Sequence, residues 1–252
     1  MLEKILETKK QELASFAMPD EADVPGYSFY EALRHPNREI GLIAEVKKAS
    51  PSKGVIKEDF APTEIAAAYE SAGADALSVL TDQTYFQGSR YFIPEIKRKV
   101  SLPVLRKDFI VDERQVEESR RIGADAILLI VAALEIDKLH DLYRLAAEKG
   151  LDCLVEVHSE EELEQLLKVF TPKIIGVNNR DLTVFKTSIS QSERLADRIP
   201  KDALFISESG ISTNEDIKRV QSFGVNGVLV GEALMRAGTP VEGVQSLFHS
   251  QK

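Results

Sequence analysis

The sequence is poor in the features that define several common protein classes. Its only cysteine, Cys153, excludes an intramolecular disulfide framework. No apolar run approaches the roughly 18–20 residues that a membrane span requires. Residues 1–16 interleave charged with apolar positions, which is not the pattern of a signal peptide. We therefore expect a cytoplasmic protein that has no membrane partner.

Clustered positive charge and nucleotide-binding motifs are also missing. The formal net charge is −9 and no Lys/Arg-rich stripe is present, so we expect no nucleic-acid partner. Neither GxGxxG after a strand nor GxxxxGK[ST] occurs, so dinucleotide and P-loop binding are not indicated. The 4 histidines are scattered, and no His/Cys group has the spacing of metal ligands.

What the sequence does contain is a repeated junction, in which a helical pattern ends at glycine and an apolar strand follows. Glycine suits the left-handed position just past a helix C-terminus. Successive junction glycines lie 50, 27 and 74 residues apart. These spacings are close to multiples of about 25 residues, the length of one βα module of a barrel. The four glycines are Gly73, Gly123, Gly150 and Gly224.

Eight apolar runs alternate with helical patterns along the chain. Most are continuously apolar, which is typical of strands buried on both faces of a parallel sheet. Eight alternations favour a closed (β/α)8 TIM barrel over an open doubly wound sheet. We expect a single α/β domain over residues 1–252. The predicted strands are 40–47, 76–81, 103–108, 126–131, 153–157, 173–178, 204–208 and 227–231.

Residues 1–39 precede this pattern and predict a helical N-terminal extension packed on the barrel. Ser28 and Glu31 have capping-box spacing ahead of a short helix that ends near residues 35–36. An earlier amphipathic helix is interrupted near Pro19. Its apolar positions are Leu2, Ile5, Leu6, Leu13 and Phe16.

Charged and polar residues occupy the ends of several predicted strands. A charge inside a barrel strand is costly unless it serves the mouth, where the C-terminal strand ends open. Because alternate residues face the interior, one parity places a single set of side chains at the mouth. That set is Glu45, Lys47, Lys107, Glu156, Asn178, Arg180 and Glu208, with Val46, Val155, Val177 and Ser207 facing the helices. A structural ion-pair network is one interpretation, but three converging cations and three carboxylates favour a binding site.

The loops after the seventh and eighth predicted strands suggest what those cations hold. Residues 209–212 and 231–232 carry glycine, and backbone N–H groups at such turns bind phosphate in many barrels. The same glycines are also compatible with plain turns. Three cations exceed the need of one phosphate, so a substrate with a second anion fits better.

Lys107 and Glu156 are the acid/base candidates. A lysine crowded by cations in a partly dry mouth is expected to have a lowered pKa and to give up a proton near neutral pH. A Schiff base on this lysine is the alternative. Phe86 and Phe109 follow strand ends and suit either plain core or the wall of an aromatic-ring pocket.

Two other residues invite a chemical role less strongly. Cys153 falls on the helix-facing parity and is expected to be buried packing. His158 follows Glu156 closely, and we expect an ordinary loop residue, with tuning of the site as the alternative.

Several segments are similar to a known family. Residues 43–52, IAEVKKASPS, resemble the ExKxxSPS signature of the first strand of indole-3-glycerol-phosphate synthases. The resemblance covers essentially the whole chain, and its further segments are YFQGS (85–89), LRKDFI (105–110), LVEV (154–157), GVNNRDL (176–182), ESGI (208–211) and GEALM (231–235).

The resemblance implies an activity in tryptophan biosynthesis. This family converts 1-(2-carboxyphenylamino)-1-deoxyribulose 5-phosphate to indole-3-glycerol phosphate, CO2 and water. Such a lyase needs no metal or organic cofactor, and its N-terminal extension lies across the barrel mouth. A monomer is one option for the oligomeric state, which the sequence leaves open.

The resemblance also implies roles for single residues. Lys107 would protonate the ketone oxygen during ring closure, and Glu156 would be the base in the later dehydration. Lys47 and Arg180 would hold the substrate carboxylate. The remaining catalytic positions are Glu45, Asn178, Glu208 and Ser209, and the remaining substrate-binding positions are Ser50, Phe86, Phe109, Leu182, Gly210, Gly231 and Glu232.

Glu232 departs from the serine of some relatives. We expect it to contact phosphate through its backbone N–H, with its side chain turned away. Two rivals remain open: phosphoribosylanthranilate isomerase, which uses a Cys/Asp pair at strand ends, and a catalytically silent barrel that binds phospho-sugars.

Overall fold

The computed structural model describes residues 1–180 and 187–248. Within these residues eight parallel strands close into a barrel in the order β1-β10-β9-β8-β7-β6-β5-β4. Each predicted strand is confirmed to within one residue at either end. The barrel strands are β1 (Gly41–Val46), β4 (Ala76–Leu80), β5 (Val104–Lys107), β6 (Ala126–Ile130), β7 (Asp152–Val157), β8 (Ile174–Asn178), β9 (Leu204–Glu208) and β10 (Gly227–Val230). The short strands β2 (Ala49–Ser50) and β3 (Gly54–Val55) form a hairpin beside the mouth.

Helices separate the strands, as a (β/α)8 barrel requires. The four junction glycines all adopt left-handed backbone, with φ from 77° to 83°. The helices are α1 (Leu2–Ala14), α2 (Phe29–Arg34), α3 (Pro62–Ser71), α4 (Gln83–Phe86), α5 (Phe92–Lys97), α6 (Glu113–Arg121), α7 (Ile136–Glu148), α8 (Glu160–Val169), α9 (Ser190–Leu195), α10 (Asn214–Ser222), α11 (Glu232–Arg236) and α12 (Pro240–Phe248). Single 3-10 turns cover Val131–Ala133 and Ala196–Arg198.

Apolar side chains form two separate layers of core. The larger layer lies between strands and helices and contains Val46, Val155 and Val177, as the parity predicted. Cys153 belongs to the same layer and is buried, which confirms its interpretation as packing. The smaller layer fills the barrel interior, where Ile43, Leu105, Leu154, Ile206 and Leu229 meet. Because this layer fills the lower interior, the charged residues at the strand ends lie above it, at the mouth.

The N-terminal extension reaches both ends of the barrel, which differs from an extension confined to the mouth. Lys9 of α1 contacts Asp82 and Asp108, which follow β4 and β5 at the mouth. At the opposite end, Phe29 and Leu33 of α2 pack into the interior layer. These two side chains are almost fully buried. They fill the end of the barrel where the strands begin, and so close its floor.

A local signal explains where the second N-terminal helix begins. Ser28 caps α2 by accepting a hydrogen bond from the backbone N–H of Glu31, as the sequence spacing predicts.

Within the described residues no helix is long and apolar enough to cross a membrane. Nor do residues 1–180 and 187–248 contain a His/Cys/Asp/Glu group arranged to hold a metal ion.

Candidate active site

The mouth of the barrel contains a cavity of about 690 Å³. Its wall brings together most of the residues singled out in the sequence. Those residues are Glu45, Lys47, Phe86, Lys107, Phe109, Glu156, Asn178, Arg180, Glu208, Ser209, Gly210, Gly231 and Glu232. A single concave site assembled from the ends of β1, β5, β7, β8, β9 and β10 is therefore present where the parity predicts it.

Two expected substrate-binding residues are not found in the cavity wall. Ser50 is buried in β2 and does not form part of the wall, which Ser52 and Lys53 form at this point. The reason is local: the β2–β3 hairpin turns the SPS segment so that only its tip faces the mouth. Leu182 lies outside the described residues.

Lys107 lies at the centre of the site among carboxylates. Its Nζ is 3.6 Å from Glu156 Oε2 and 3.9 Å from Glu208 Oε2. Burial alone would lower the pKa of Lys107, but the charges on Glu156, Glu208 and Glu45 outweigh burial and raise that pKa. The expectation of a lowered pKa is therefore wrong, because carboxylates rather than cations are the nearest neighbours.

The three carboxylates are held in different states by their surroundings. Burial would raise the pKa of Glu156, but Lys107 and His158 lower it, so this group is ionised. Burial together with the charge of Glu156 raises the pKa of Glu208 well above its usual value. Burial opposes the ionisation of Glu45, and the adjacent cations Lys47 and Lys107 reverse that effect and lower its pKa. The site therefore holds one carboxyl that favours its proton beside two that release theirs, an arrangement suited to proton transfer.

Glycine makes room for two of these carboxylates. A Cβ at residue 231 would overlap Glu45 Oε1, and a Cβ at residue 176 would overlap Glu208 Oε1. Gly231 thus has a steric reason beyond the turn that it forms. Its partner loop is also constrained, since Ser209 and Gly210 have φ of 66° and 80°. A non-glycine residue in the left-handed region stores strain, which is common at binding loops.

A cluster of cations lines the outer edge of the mouth around Glu232. The Glu232 carboxylate is 3.0 Å from Arg236 Nε, 3.6 Å from Lys53 Nζ and 3.9 Å from Arg180 Nη2. Its side chain therefore lines the cavity, and the expectation that it turns away is wrong. The attraction of three cations outweighs the solvation that an outward glutamate would gain.

Lys53 and Arg236 are the cations that sequence reasoning missed. Both side chains line the cavity beside Arg180. Lys53 follows the SPS segment by a single residue, and Arg236 lies four residues after Glu232 on α11, so i,i+4 spacing was an available signal.

Aromatic rings form one wall of the cavity. The ring centroids of Phe86 and Phe109 are 6.3 Å apart, and both side chains line the cavity rather than lying wholly in the core. Asp82 positions the first ring, because it caps α4 through the backbone N–H groups of Tyr85 and Phe86. This wall suits a flat aromatic ligand.

His158 contacts the site, which the sequence did not favour. Its Nε2 is 3.1 Å from Glu156 Oε1, and its side chain is 9% exposed. Burial lowers the pKa of His158, but Glu156 and Glu162 outweigh burial and raise it to about 10. The preferred interpretation as an ordinary loop residue is therefore wrong.

Comparison with known proteins agrees with this geometry. The family model described as indole-3-glycerol phosphate synthase matches residues 2–247. The indole-3-glycerol phosphate synthase of Priestia megaterium is 60% identical over 248 residues, which are 98% of this chain and 97% of that protein. The enzyme of the same name from Halalkalibacterium halodurans is 57% identical, over 98% of this chain and 96% of that protein.

Solved structures that are distant in sequence share the barrel. The 3-hexulose-6-phosphate synthase of Salmonella typhimurium has a TM-score of 0.66 at 15% identity, covering 82% of this chain and 96% of that one. A chain of the tryptophan synthase complex of Pyrococcus furiosus has a TM-score of 0.61 at 16% identity, covering 82% and 97%. At such identities the likeness concerns the fold alone. The match of the family model over nearly the whole chain, together with relatives that are more than half identical, shows that this chain belongs to the indole-3-glycerol phosphate synthase family.

Proposed function

We propose that this chain is a ring-closing carboxy-lyase that converts 1-(2-carboxyphenylamino)-1-deoxyribulose 5-phosphate to indole-3-glycerol phosphate, CO2 and water. The observation that carries the proposal is the position of Lys107, which faces Glu156 and Glu208 in the mouth cavity beside an aromatic wall. A barrel that only binds phospho-sugars has no need of this buried acid/base group. The activity places the chain in tryptophan biosynthesis.

The substrate carries a phosphate, a carboxylate and an aromatic ring, and the cavity offers complementary surroundings for each. The loops at residues 209–210 and 231–232 would receive the phosphate through backbone N–H groups. Lys47 and Arg180 would pair with the carboxylate, since guanidinium and ammonium groups form charge-assisted hydrogen bonds with such anions. The anthranilate ring would pack against Phe86 and Phe109.

Ring closure needs a proton on the ketone oxygen as the new carbon–carbon bond forms. Lys107 would supply it, and its raised pKa does not prevent this step, because the developing alkoxide is a much stronger base than an amine. The raised pKa also disfavours the Schiff-base alternative, which needs a neutral amine. Departure of CO2 then restores the aromatic ring, since the electron pair of the broken bond returns to it.

Dehydration needs a base and a protonated leaving hydroxyl. Glu156 is ionised and would take a proton from the ring-closed intermediate as water leaves. Glu208 favours its protonated form and would donate the proton with which the hydroxyl leaves as water, while Asn178 and Glu45 would orient the lysine and the leaving group. Ser50, Ser209 and Leu182 keep their predicted roles as proposals, although Ser50 would act only through the hairpin that carries Lys53. No metal or organic cofactor enters this scheme, and the cytoplasmic location and the oligomeric state stay predictions.

Product fluorescence tests the proposal directly. The chain contains no tryptophan, so indole fluorescence that appears after mixing with the carboxyphenylamino substrate comes from product. We expect a signal from the wild-type chain and from Lys201→Ala, in which an exposed lysine is removed. For Lys107→Ala we expect kcat to fall by roughly 10³-fold or more with a modest change in KM, because the lost interaction belongs to the transition state.

Two outcomes would overturn this assignment. Folded wild-type chain that binds the substrate without producing fluorescence would indicate a silent phospho-sugar-binding barrel. A covalent adduct at Lys107 after borohydride treatment in the presence of substrate would replace acid catalysis by Schiff-base chemistry.

A further inference from the structure

His158 connects the buried base to a carboxylate nearer the surface. It follows β7 by one residue, so its ring lies beside the mouth while its backbone begins the turn into α8. Nε2 faces Glu156 Oε1 at 3.1 Å, and Nδ1 faces Glu162 Oε2 at 3.4 Å. Glu162 Oε2 also accepts a hydrogen bond of 2.7 Å from the backbone N–H of His158. The contact with Glu156 is an ion pair without an aligned hydrogen bond, so charge holds the inner end of this Glu–His–Glu chain and a hydrogen bond holds its outer end.

We propose that His158 is a positioning residue for Glu156: it fixes one carboxylate oxygen and, held from behind by Glu162, keeps the base aligned toward Lys107 and the substrate. This inference rests on the proposed function of the site, since it concerns the base of that reaction.

The two oxygens of Glu156 face different partners, which supports the inference. Oε1 lies near the imidazole of His158, whereas Oε2 lies 3.6 Å from Lys107 Nζ, beyond normal hydrogen-bond distance. With Oε1 held by a cation, Oε2 remains the oxygen that can receive a proton. Without His158 the carboxylate would be free to rotate, and its alignment toward Lys107 and the substrate would be lost.

The backbone of His158 is also fixed by its neighbours. Gln191 of α9 donates from Nε2 to the carbonyl oxygen of His158 at 2.7 Å. Glu162 of α8 turns back to accept the backbone N–H of His158, close to the point where Ser159 caps the helix. Because α8 and α9 both hold this loop, the ring is placed by the fold rather than by its contact with Glu156.

The charged groups around this chain determine its response to pH. Glu156 faces Lys107 of β5 and Glu208 of β9, and His158 faces Glu156 and Glu162. Burial opposes a charge on His158, but the two flanking carboxylates raise its pKa to about 10, so the imidazole is charged near neutral pH. Its charge is one of the causes that lower the pKa of Glu156.

Removing the charge of His158 changes the pKa of Glu156 in a defined direction. The pKa of Glu156 rises when a nearby cation is lost, so Glu156 becomes protonated, and inactive as a base, at a higher pH than in the wild-type chain. Loss of an opposite charge at this distance moves a carboxyl pKa by about one to three units. The acid limb of kcat is therefore expected to shift upward by at least about one pH unit.

The test compares pH profiles of kcat and KM for the wild type, His158→Gln, Glu162→Gln and His35→Gln. Glutamine at 158 keeps an N–H donor but carries no charge. We expect His158→Gln to lower kcat about 10- to 100-fold at pH 6, as loss of a charge-assisted contact predicts, with KM changed less than about threefold. Glu162→Gln leaves the imidazole charged at acid pH but releases its ring, so we expect a smaller fall in kcat without an upward shift of the acid limb.

His35→Gln is the matched control. His35 also pairs with a glutamate at i,i+4, at 3.5 Å, but both side chains are exposed and far from the mouth. Its profile should overlay that of the wild type. Should His158→Gln fail to fold, the value of kcat in Glu162→Gln decides whether the ring of His158 positions Glu156.

The outcomes separate this inference from the proposed function. A wild-type chain that makes no product refutes the function itself. An active wild type together with an unshifted acid limb in His158→Gln and an unchanged kcat in Glu162→Gln refutes only the positioning role, as does a fall in kcat that matches the fraction of unfolded protein.

Discussion

Replacing Lys9 with methionine removes the cation that attaches the N-terminal helix to the barrel mouth. Lys9 is 3% exposed, and its Nζ lies 2.8 Å from Asp82 Oδ2 and 3.0 Å from Asp108 Oδ1. Glu12 of the same helix completes the shell at 2.9 Å. Methionine matches the length of the apolar stem but leaves two buried carboxylates without their common partner.

The magnitude follows from those uncompensated charges. Breaking a buried ion pair by removing one partner costs about 3–5 kcal/mol, more than the pair itself contributes, because the remaining charge stays desolvated. Lys10 supplies the matched control, since its side chain is 74% exposed and pairs only weakly with Glu7, at 3.8 Å. We expect Lys10→Met to change the free energy of unfolding by less than about 0.5 kcal/mol.

The same change should weaken substrate binding. Asp82 caps the helix that carries Phe86, and Asp108 accepts a hydrogen bond from the backbone N–H of Phe109, so both rings of the aromatic wall depend on carboxylates that Lys9 holds. We expect KM to rise several-fold in Lys9→Met, with a smaller change in kcat, because the walls bind the ring but do not take part in bond making.

Urea unfolding followed by far-UV circular dichroism measures the effect, and its pH dependence checks the cause. Burial raises the pKa of Asp108, but Lys9 and Arg106 outweigh burial and lower it. A carboxylate with a lowered pKa contributes stability above its unfolded pKa and loses it as the pH falls through the folded value. The difference in the free energy of unfolding between wild type and Lys9→Met should therefore become smaller below about pH 4. A loss under about 1 kcal/mol at pH 7, or equal losses for Lys9→Met and Lys10→Met, would refute this reasoning.

Two further predictions concern the mouth and the helix junctions. Glu232→Gln removes the carboxylate that Lys53, Arg180 and Arg236 share. Because one unit of negative charge is lost near the anionic substrate, KM should fall about three- to tenfold at low salt. An unchanged or higher KM in steady-state assays would contradict this. Gly123→Ala should destabilise the fold by at least about 1 kcal/mol more than Gly150→Ala in thermal unfolding. Both positions have left-handed φ, but only at 123 would the new Cβ overlap Val24. Equal losses of stability would show that the overlap is relieved without cost.

Much of the fold could be predicted because its signals are local. The junction glycines mark helix ends through a backbone conformation that other residues adopt with strain, and the observed φ values agree. Strand parity depends only on the alternation of side chains, so Glu45, Lys107, Glu156 and Glu208 could be assigned to the mouth without coordinates. The ring closure itself came from resemblance, since no charge pattern distinguishes it from other chemistry on phosphorylated substrates.

The failures share a different cause. The sign of the Lys107 pKa shift depends on which charges lie within a few ångströms, and the nearest are carboxylates contributed by β7 and β9. The inward side chain of Glu232 likewise depends on Lys53, which is distant in the chain. His158 was interpreted as a loop residue because no periodic pattern in the sequence indicates the contact between its ring and Glu156.

By itself, the sequence determined the barrel, the set of side chains at its mouth and the family, because periodicity, turn residues and motifs are written along the chain. Only the tertiary structure decided the protonation states in the site, the attachment of α1 through Lys9 and the closure of the barrel floor by α2. Those properties depend on distances between segments that lie far apart in the chain, since charge interactions and packing act through space.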